Sequence, residues 1–193
     1  LAQKERRLRV LSHPTGQGAA AARNTALAAA QGRYVAFLDA DDEWVTTKLA
    51  QQISVMQSQQ AALCYTGFLR VSDTVERFVR VPSRVTRAQL LYGNIICCSS
   101  AVYDRAVLGS VFMPPLPLRQ DYALWLTLLE QVPQAVGINM PLVRLHVTRG
   151  SLSSNKWRAM RATWAMHRNH FGVGALQSAG YVVAHSLRRL WRG

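Results

Sequence analysis

Apolar and polar positions along this chain switch between two periods, and the switches lay out its elements. Tyr34-Val35-Ala36-Phe37-Leu38 is a short apolar run fenced by Gly32 before it and by Asp39, Asp41 and Asp42 after it. Five mostly β-forming residues between breakers predict a buried strand of the parallel kind. Ahead of it, residues 8–11 read as another strand, His13 to Gly18 as a Pro/Gly turn, and residues 19–30 as the strongest helix former in the sequence, closed by Gly32. Strand, loop, helix and strand in that order predict a βαβ unit with parallel pairing and a right-handed crossover.

Beyond the acids, residues 43–59 predict a helix with Trp44, Leu49, Ile53 and Met56 on one face. Residues 62–66 and 68–71 flank Gly67 as two short strands, and residues 75–81 follow as a third after the turn Ser72-Asp73-Thr74. Residues 86–91 predict a short helix and residues 95–103 a strand ending at Asp104. Pro114, Pro115 and Pro117 force a surface loop, which leads into a helix from Arg119 or Gln120 to Glu130. Residues 135–147 are strand-like with a break at Pro141, and residues 148–154 form a polar loop.

Two helices finish the chain. Residues 155–171 carry the stripe Trp157, Met160, Trp164 and Phe171 flanked by Arg161 and Arg168. Residues 175–191 carry Leu176, Val183, Leu187 and Leu190, with Arg188, Arg189 and Arg192 facing away. Such stripes either pack on the body of their own domain or lie in a membrane interface with arginines among the headgroups.

At 193 residues the chain suits one domain with a sizeable core. Its formal charge of +13 is unevenly placed, because Glu130 is the last acid and everything charged after it is basic. That asymmetry points to an anionic membrane surface or a nucleic acid, or to a solvated basic face in an arginine-rich sequence. No recognisable nucleic-acid module or stacking-aromatic pattern is present, so no nucleic acid is expected as a partner. Cys64, Cys97 and Cys98 suit neither a disulfide framework nor a zinc site. No apolar run reaches the length of a spanning helix, and the expected location is cytoplasmic.

The candidate chemistry gathers at strand ends. The crevice beyond the carboxyl edge of an open α/β sheet is the usual ligand site, which would deliver Asp39 to Asp42 to its floor. In extended backbone Asp39 and Asp41 would face one ligand while Asp42 turns away. Paired carboxylates repel unless a cation sits between them and a phosphate-like group; the plainer alternative is an acidic turn whose Asp42 caps the next helix. Asp121, in the first turn of an apolar helix, is either a helix-dipole partner or a carboxylate offered to a cleft, able to take a proton from a hydroxyl. Arg23 and Asn24 interrupt the alanine helix where Arg23 could reach phosphate or base, with an ordinary surface charge as its alternative. His146 is the one histidine expected near the ligand, with an ordinary satisfied polar side chain as its alternative. Dinucleotide, P-loop and nucleophile-elbow motifs are missing.

Three stretches, in order, carry a family resemblance: Gly18-Ala19-Ala20-Ala21-Ala22-Arg23-Asn24, then residues 32–42, then Gln120-Asp121-Tyr122-Ala123-Leu124-Trp125-Leu126. They resemble the successive signatures of family 2 inverting glycosyltransferases, and residues 144–153 resemble their closing segment. The resemblance implies an α/β GT-A fold, a Rossmann-like nucleotide-binding sheet with helices on both faces joined to an acceptor-binding half. It implies a nucleotide-diphosphate sugar as donor and Mg²⁺ or Mn²⁺ as cofactor. By the same resemblance Asp39 contacts the nucleotide ribose, Asp41 the metal, Arg23 the nucleotide, and Asp121 is the base. The expected acceptor is a glycan or lipid-linked saccharide in bacterial surface polysaccharide assembly, with peripheral contact to the inner face of the membrane.

Gln120 stands where many relatives carry Glu. The family's opening strand, helix and second strand have no counterpart ahead of Leu1, so the expectation is a GT-A domain over residues 1–153 lacking that first unit, followed by basic amphipathic helices over residues 154–193. An inactive fragment or interaction protein is the alternative.

Overall fold

The computed structural model describes residues 7–147 and 156–191, the side chains of Lys156 and of residues 185–191 excepted. In chain order the elements are α1 (Ala19–Ala29), β1 (Tyr34–Ala36), β2 (Glu43–Trp44), α2 (Lys48–Ser58), β3 (Leu63–Val71), β4 (Glu76–Val79), β5 (Arg84–Val85) and α3 (Arg87–Leu91). A 3₁₀ turn (Cys98–Ser100) then leads to β6 (Val102–Asp104), α4 (Arg105–Leu108), α5 (Gln120–Gln131) and β7 (Ala135–His146). The last helices are α6 (Lys156–Ala165), which continues as a π turn (Met166–His170), and α7 (Ala175–Trp191).

Two long strands, β3 and β7, run parallel at the centre of a seven-stranded sheet. The outer edge of β3 is shared by β6 at one end and β4 at the other, and that of β7 by β5 and β2, all antiparallel. β1 joins beyond β6, also antiparallel, with Val35 opposite Tyr103. The chain therefore has a mixed α/β fold with a largely antiparallel sheet.

The βαβ unit expected between residues 8 and 38 does not form. Leu8, Val10 and Leu11 are exposed, and this segment lies against α1, where Arg9 donates to the Ala29 carbonyl and His13 bonds Thr25. A strand exists only where a neighbour takes its backbone groups, and among the described residues none lies beside residues 8–11. β1 is only half-buried, with Val35 inside and Tyr34 and Ala36 partly exposed, and its bonded edge meets an antiparallel strand, so the expectations of a fully buried strand and of parallel pairing there both fail.

Other boundaries shift for local reasons. Gly67 does not separate two strands; β3 runs through it with a shift of register, and a Cβ there would come within 2.7 Å of the Phe78 ring. Pro141 likewise leaves β7 unbroken, since the register slips beside it. The strand predicted at 95–103 is mostly irregular, with only Val102–Asp104 paired, because the chain turns at Cys98 to place Ser99 beneath the acids. The first residues of the helix predicted at 43–59 are instead the short strand β2, and α2 starts at Lys48 with Thr47 before it.

One core joins the layers. It runs from Leu27 and Phe37 through Leu63, Tyr65 and Tyr103 to the middle of α5, where Tyr122 to Leu126 are all buried. The C-terminal helices close onto it through Met166, Phe171 and Tyr181. Their buried faces differ from the predicted stripes: α6 and its π turn bury Ala159, Thr163, Met166 and His167, and α7 buries Ser178 and Val182. Trp157, Leu176 and Val183 face solvent, and Trp164 is 37% exposed. Leu187, Leu190 and the three terminal arginines lie outside the described side chains, and residues 148–155 outside the described residues. No helix among the described residues is long and apolar enough to cross a membrane.

Candidate active site

Beyond β1 the apolar run ends in a tight turn. The Asp42 amide donates to the Asp39 carbonyl at 3.0 Å, so residues 39–42 are folded rather than extended. The expected alternation, with Asp39 and Asp41 on one side, therefore does not apply. Each acid meets a different fate. Asp39 is ion-paired with the Arg23 guanidinium from α1, and its amide donates to Ser99 Oγ at 3.1 Å. Asp42 accepts from Ser99 Oγ at 2.5 Å and from the His146 amide at 3.3 Å. Burial raises the Asp42 pKa and the neighbouring Asp39 and Asp41 add to that, against the two hydrogen bonds. Asp42 does not cap the next helix, since α2 begins at Lys48. Asp41 is exposed, at the tip of the turn.

Asp121 enters from the other side. α5 is apolar almost throughout, so Tyr122 to Leu126 are buried, with Gln120 and Asp121 of its first turn partly exposed. Arg119 caps it in the left-handed region, φ 71°, a conformation that costs a side-chain-bearing residue free energy and fixes the entry angle of the helix. Burial lifts the Asp121 pKa above the usual carboxylate range, while the Tyr122 amide and the charges of Arg119 and Arg23 pull it back. Arg23 is in turn disfavoured as a cation by burial, yet Cys98, Asp39 and Asp121 together hold its pKa raised. The structure thus brings Arg23, Asp39 and Asp121, from three separate segments, into one electrostatic neighbourhood.

Several residues that sequence reasoning passed over build this neighbourhood. The Asn24 carboxamide makes a two-point clamp on Met113, donating to its carbonyl and accepting from its amide, both at 2.8 Å. That clamp fixes the start of the proline loop that leads to Asp121. Ser99 braces both Asp39 and Asp42, and its carbonyl accepts from the Trp44 indole at 2.7 Å. The Lys48 ammonium lies 4.1 Å from the centroid of that indole, fully buried. Asn24 gave a signal in the sequence as a polar break beside Arg23, and Trp44 only as part of an apolar helix face; Ser99 and Lys48 belong to no local pattern.

His146 ends β7 beside the acids, bonding Glu43 Oε1 at 3.1 Å as well as donating its amide to Asp42. Among the described residues no three His, Cys, Asp or Glu side chains gather closely enough to hold an ion by themselves. Between α1 and the outer edge of β1 runs a groove of about 320 Å³ lined by Arg23, Leu27, Ala30 and residues 34–38, which ends next to Asp39.

Residues 1–112 match the model of glycosyl transferase family 2. The chain is 38% identical over 167 residues to the putative teichuronic acid biosynthesis glycosyltransferase TuaG of Bacillus subtilis, covering 85% of this chain and 66% of that protein. It is 35% identical over 161 residues to the Escherichia coli UDP-Glc:alpha-D-GlcNAc-diphosphoundecaprenol beta-1,3-glucosyltransferase WfgD, covering 82% of this chain and 63% of the relative. The chain therefore spans under two thirds of the length of these relatives. In fold it superposes on S. aureus TarS 1-349, solved in complex with UDP-GlcNAc, with a TM-score of 0.62 at 15% identity, over 86% of this chain and 51% of that one. The fold is that of GT-A glycosyltransferases, and the chain belongs to glycosyl transferase family 2.

Proposed function

We propose that this chain transfers a sugar from a nucleotide-diphosphate sugar to an acceptor hydroxyl with inversion at the anomeric carbon. The observation that carries the reading is that the Arg23–Asp39 ion pair lies within electrostatic reach of Asp121. Residues 1–153 form the transferase domain in this reading and residues 154–193 an appended pair of helices. Arg23 and Asp39 hold the nucleotide end of the donor, and Asp41, exposed on its turn, is the carboxylate toward a divalent ion. That ion, when bound, offsets the charge of the departing diphosphate. Asp121 accepts the proton of the attacking hydroxyl, and its raised pKa makes it a stronger base than an ordinary carboxylate. Attack from the face opposite the diphosphate inverts the centre.

The names of the relatives support a donor of the UDP-sugar class and an acceptor carried on a lipid diphosphate. The reading is accordingly bacterial cell-surface polysaccharide assembly on the cytoplasmic side of the membrane, with peripheral contact to it. The test is isothermal titration with UDP, GDP and UDP-sugars in the presence of Mn²⁺, followed by a transfer assay. Asp121→Asn is expected to keep donor affinity and to lose transfer by on the order of 100-fold or more. Full transfer by that variant overturns its role as base.

A second reading follows from the outer edge of β1, which carries no strand among the described residues. It makes this chain a non-enzymatic fragment or interaction protein. Absence of nucleotide binding at millimolar ligand selects it.

A further inference from the structure

The two C-terminal helices bury small and polar side chains beside Met166 and Val182 while leaving several large apolar ones outside. Thr163, His167 and Ser178 are buried, while Trp157 is 74% exposed, Leu176 92% and Val183 57%. On α6 the residues Trp157, Arg161 and Trp164 follow one another at helical spacing, and Arg168 on the π turn comes next; all four are exposed. On α7, Leu176, Gly180 and Val183 make a second exposed stripe. Both helices seat their inner residues on the same core, the His167 ring against Tyr122 and Tyr181, so both outer stripes look away from it. A pair of helices that only closed a core would bury tryptophan and leucine before threonine and serine.

We propose that the outer faces of α6 and α7 are a docking surface for an anionic phospholipid membrane. Trp157, Trp164, Leu176 and Val183 enter the boundary between headgroups and acyl chains, and Arg161 and Arg168 meet lipid phosphates. Charge selects this occupant. Every charged residue after Glu130 is Arg or Lys, so a second copy would bring arginines to arginines with no carboxylate from this region to pair them. Tryptophan with arginine on one exposed helical stripe is the composition that partitions into an interface of negative potential. The inference deepens the functional reading above and rests on it for its purpose: a lipid-carried acceptor is met at the membrane surface, and docking there holds the crevice within its reach.

Vesicle flotation tests the surface without donor or acceptor, so its outcome is independent of whether the crevice binds nucleotide. The chain is expected to float with vesicles of equal parts phosphatidylcholine and phosphatidylglycerol, not with phosphatidylcholine alone, and to be released by high salt. The pair Arg161→Gln and Arg168→Gln is expected to lower the partition coefficient about thirtyfold. The pair Trp157→Ser and Trp164→Ser is expected to lower it further, and Trp157→Ser alone, at a side chain 74% exposed against 37% for Trp164, to do so with the circular dichroism spectrum unchanged. Failure of the unmodified chain to float with the anionic vesicles overturns the proposal. So does a dimer in sedimentation that the tryptophan variants dissociate, which would assign the face to a second copy.

Discussion

Phe37 and Trp125 meet edge to face, their ring centroids 5.7 Å apart and their planes at 70°. Phe37 lies two residues before Asp39, and Trp125 one helical turn after Asp121, so this contact sets the spacing between the two sides of the crevice. Trp125 is fully buried. Trp125→Ala is expected to cost about 3–5 kcal/mol of stability, from lost burial and the cavity left behind. Trp125→Phe retains a ring at the contact and loses no hydrogen bond among the described residues, because the indole N–H has none there. Urea unfolding distinguishes the two, and transfer kinetics should show a larger fall in kcat than rise in donor KM for Trp125→Phe.

The Asn24 clamp on Met113 gives a second handle on Asp121. Asn24→Ala leaves the Met113 amide and carbonyl without their partners, at a cost of about 1–3 kcal/mol. Asn24→Asp preserves the shape but places a carboxylate oxygen against the Met113 carbonyl, and should be at least as damaging. Both are expected to reduce transfer more than nucleotide affinity, since the clamp supports the loop to Asp121 and not the Arg23–Asp39 pair. Equal losses in the two measurements would remove Asn24 from the positioning of Asp121.

Much of this site was legible because its acids sit at element ends, where short-range pattern is strong. The run before Asp39 and the apolar helix after Asp121 were both readable from composition alone, and their family signatures from order and spacing. The pairing of β1 was not, because Val35 and Phe37 look the same to either kind of neighbour. Ser99 was invisible for another reason: its stretch, Ile95 to Tyr103, has strand composition, and long-range contacts to Asp39, Asp42, Trp44 and Gln52 help hold it in a 3₁₀ turn. The outward tryptophans of α6 show the same limit. Periodicity finds the stripe, but which stripe the core takes depends on the shape that Tyr122 and Tyr181 present.

Lys48 carries a pH signature. Burial lowers its pKa to about 8, against smaller opposing effects of Cys64 and Cys97, and its ammonium sits over the Trp44 ring. Between about pH 8 and the ordinary lysine value the unfolded chain holds a proton that the folded one has released, so this group makes stability rise with pH in that window. Below it both forms are charged and the folded state bears the full penalty, on the order of 3 kcal/mol. Lys48→Met should therefore be more stable than the unmodified chain at pH 7, with the gap closing by pH 10. The buried thiols shift oppositely in the same range, so the quantity to follow by urea unfolding is the difference between the two proteins. A difference that stays constant with pH would mean the lysine keeps its proton on folding.

His167 sets the acid limit of the C-terminal helices. Its ring is buried in the π turn after α6, faced by Tyr122 of α5 and Tyr181 of α7, and neither ring nitrogen has a hydrogen-bond partner among the described residues. Burial, and then the charge of Arg87 on α3, lower its pKa to about 4. The folded chain thus keeps His167 neutral where the unfolded chain protonates it, so stability present above about pH 6.5 is lost as pH falls toward 4. The loss attributable to this group is on the order of 3 kcal/mol. Because the ring is the point where α6 and α7 meet the core, amide exchange in residues 156–184 should accelerate before that in α5 as the solution is acidified. His167→Phe keeps an aromatic ring against Tyr122 and Tyr181 and has no proton to gain, so it should flatten the acid side of the stability curve and delay release of the helices. Unchanged acid sensitivity in that variant would move the cause to another group.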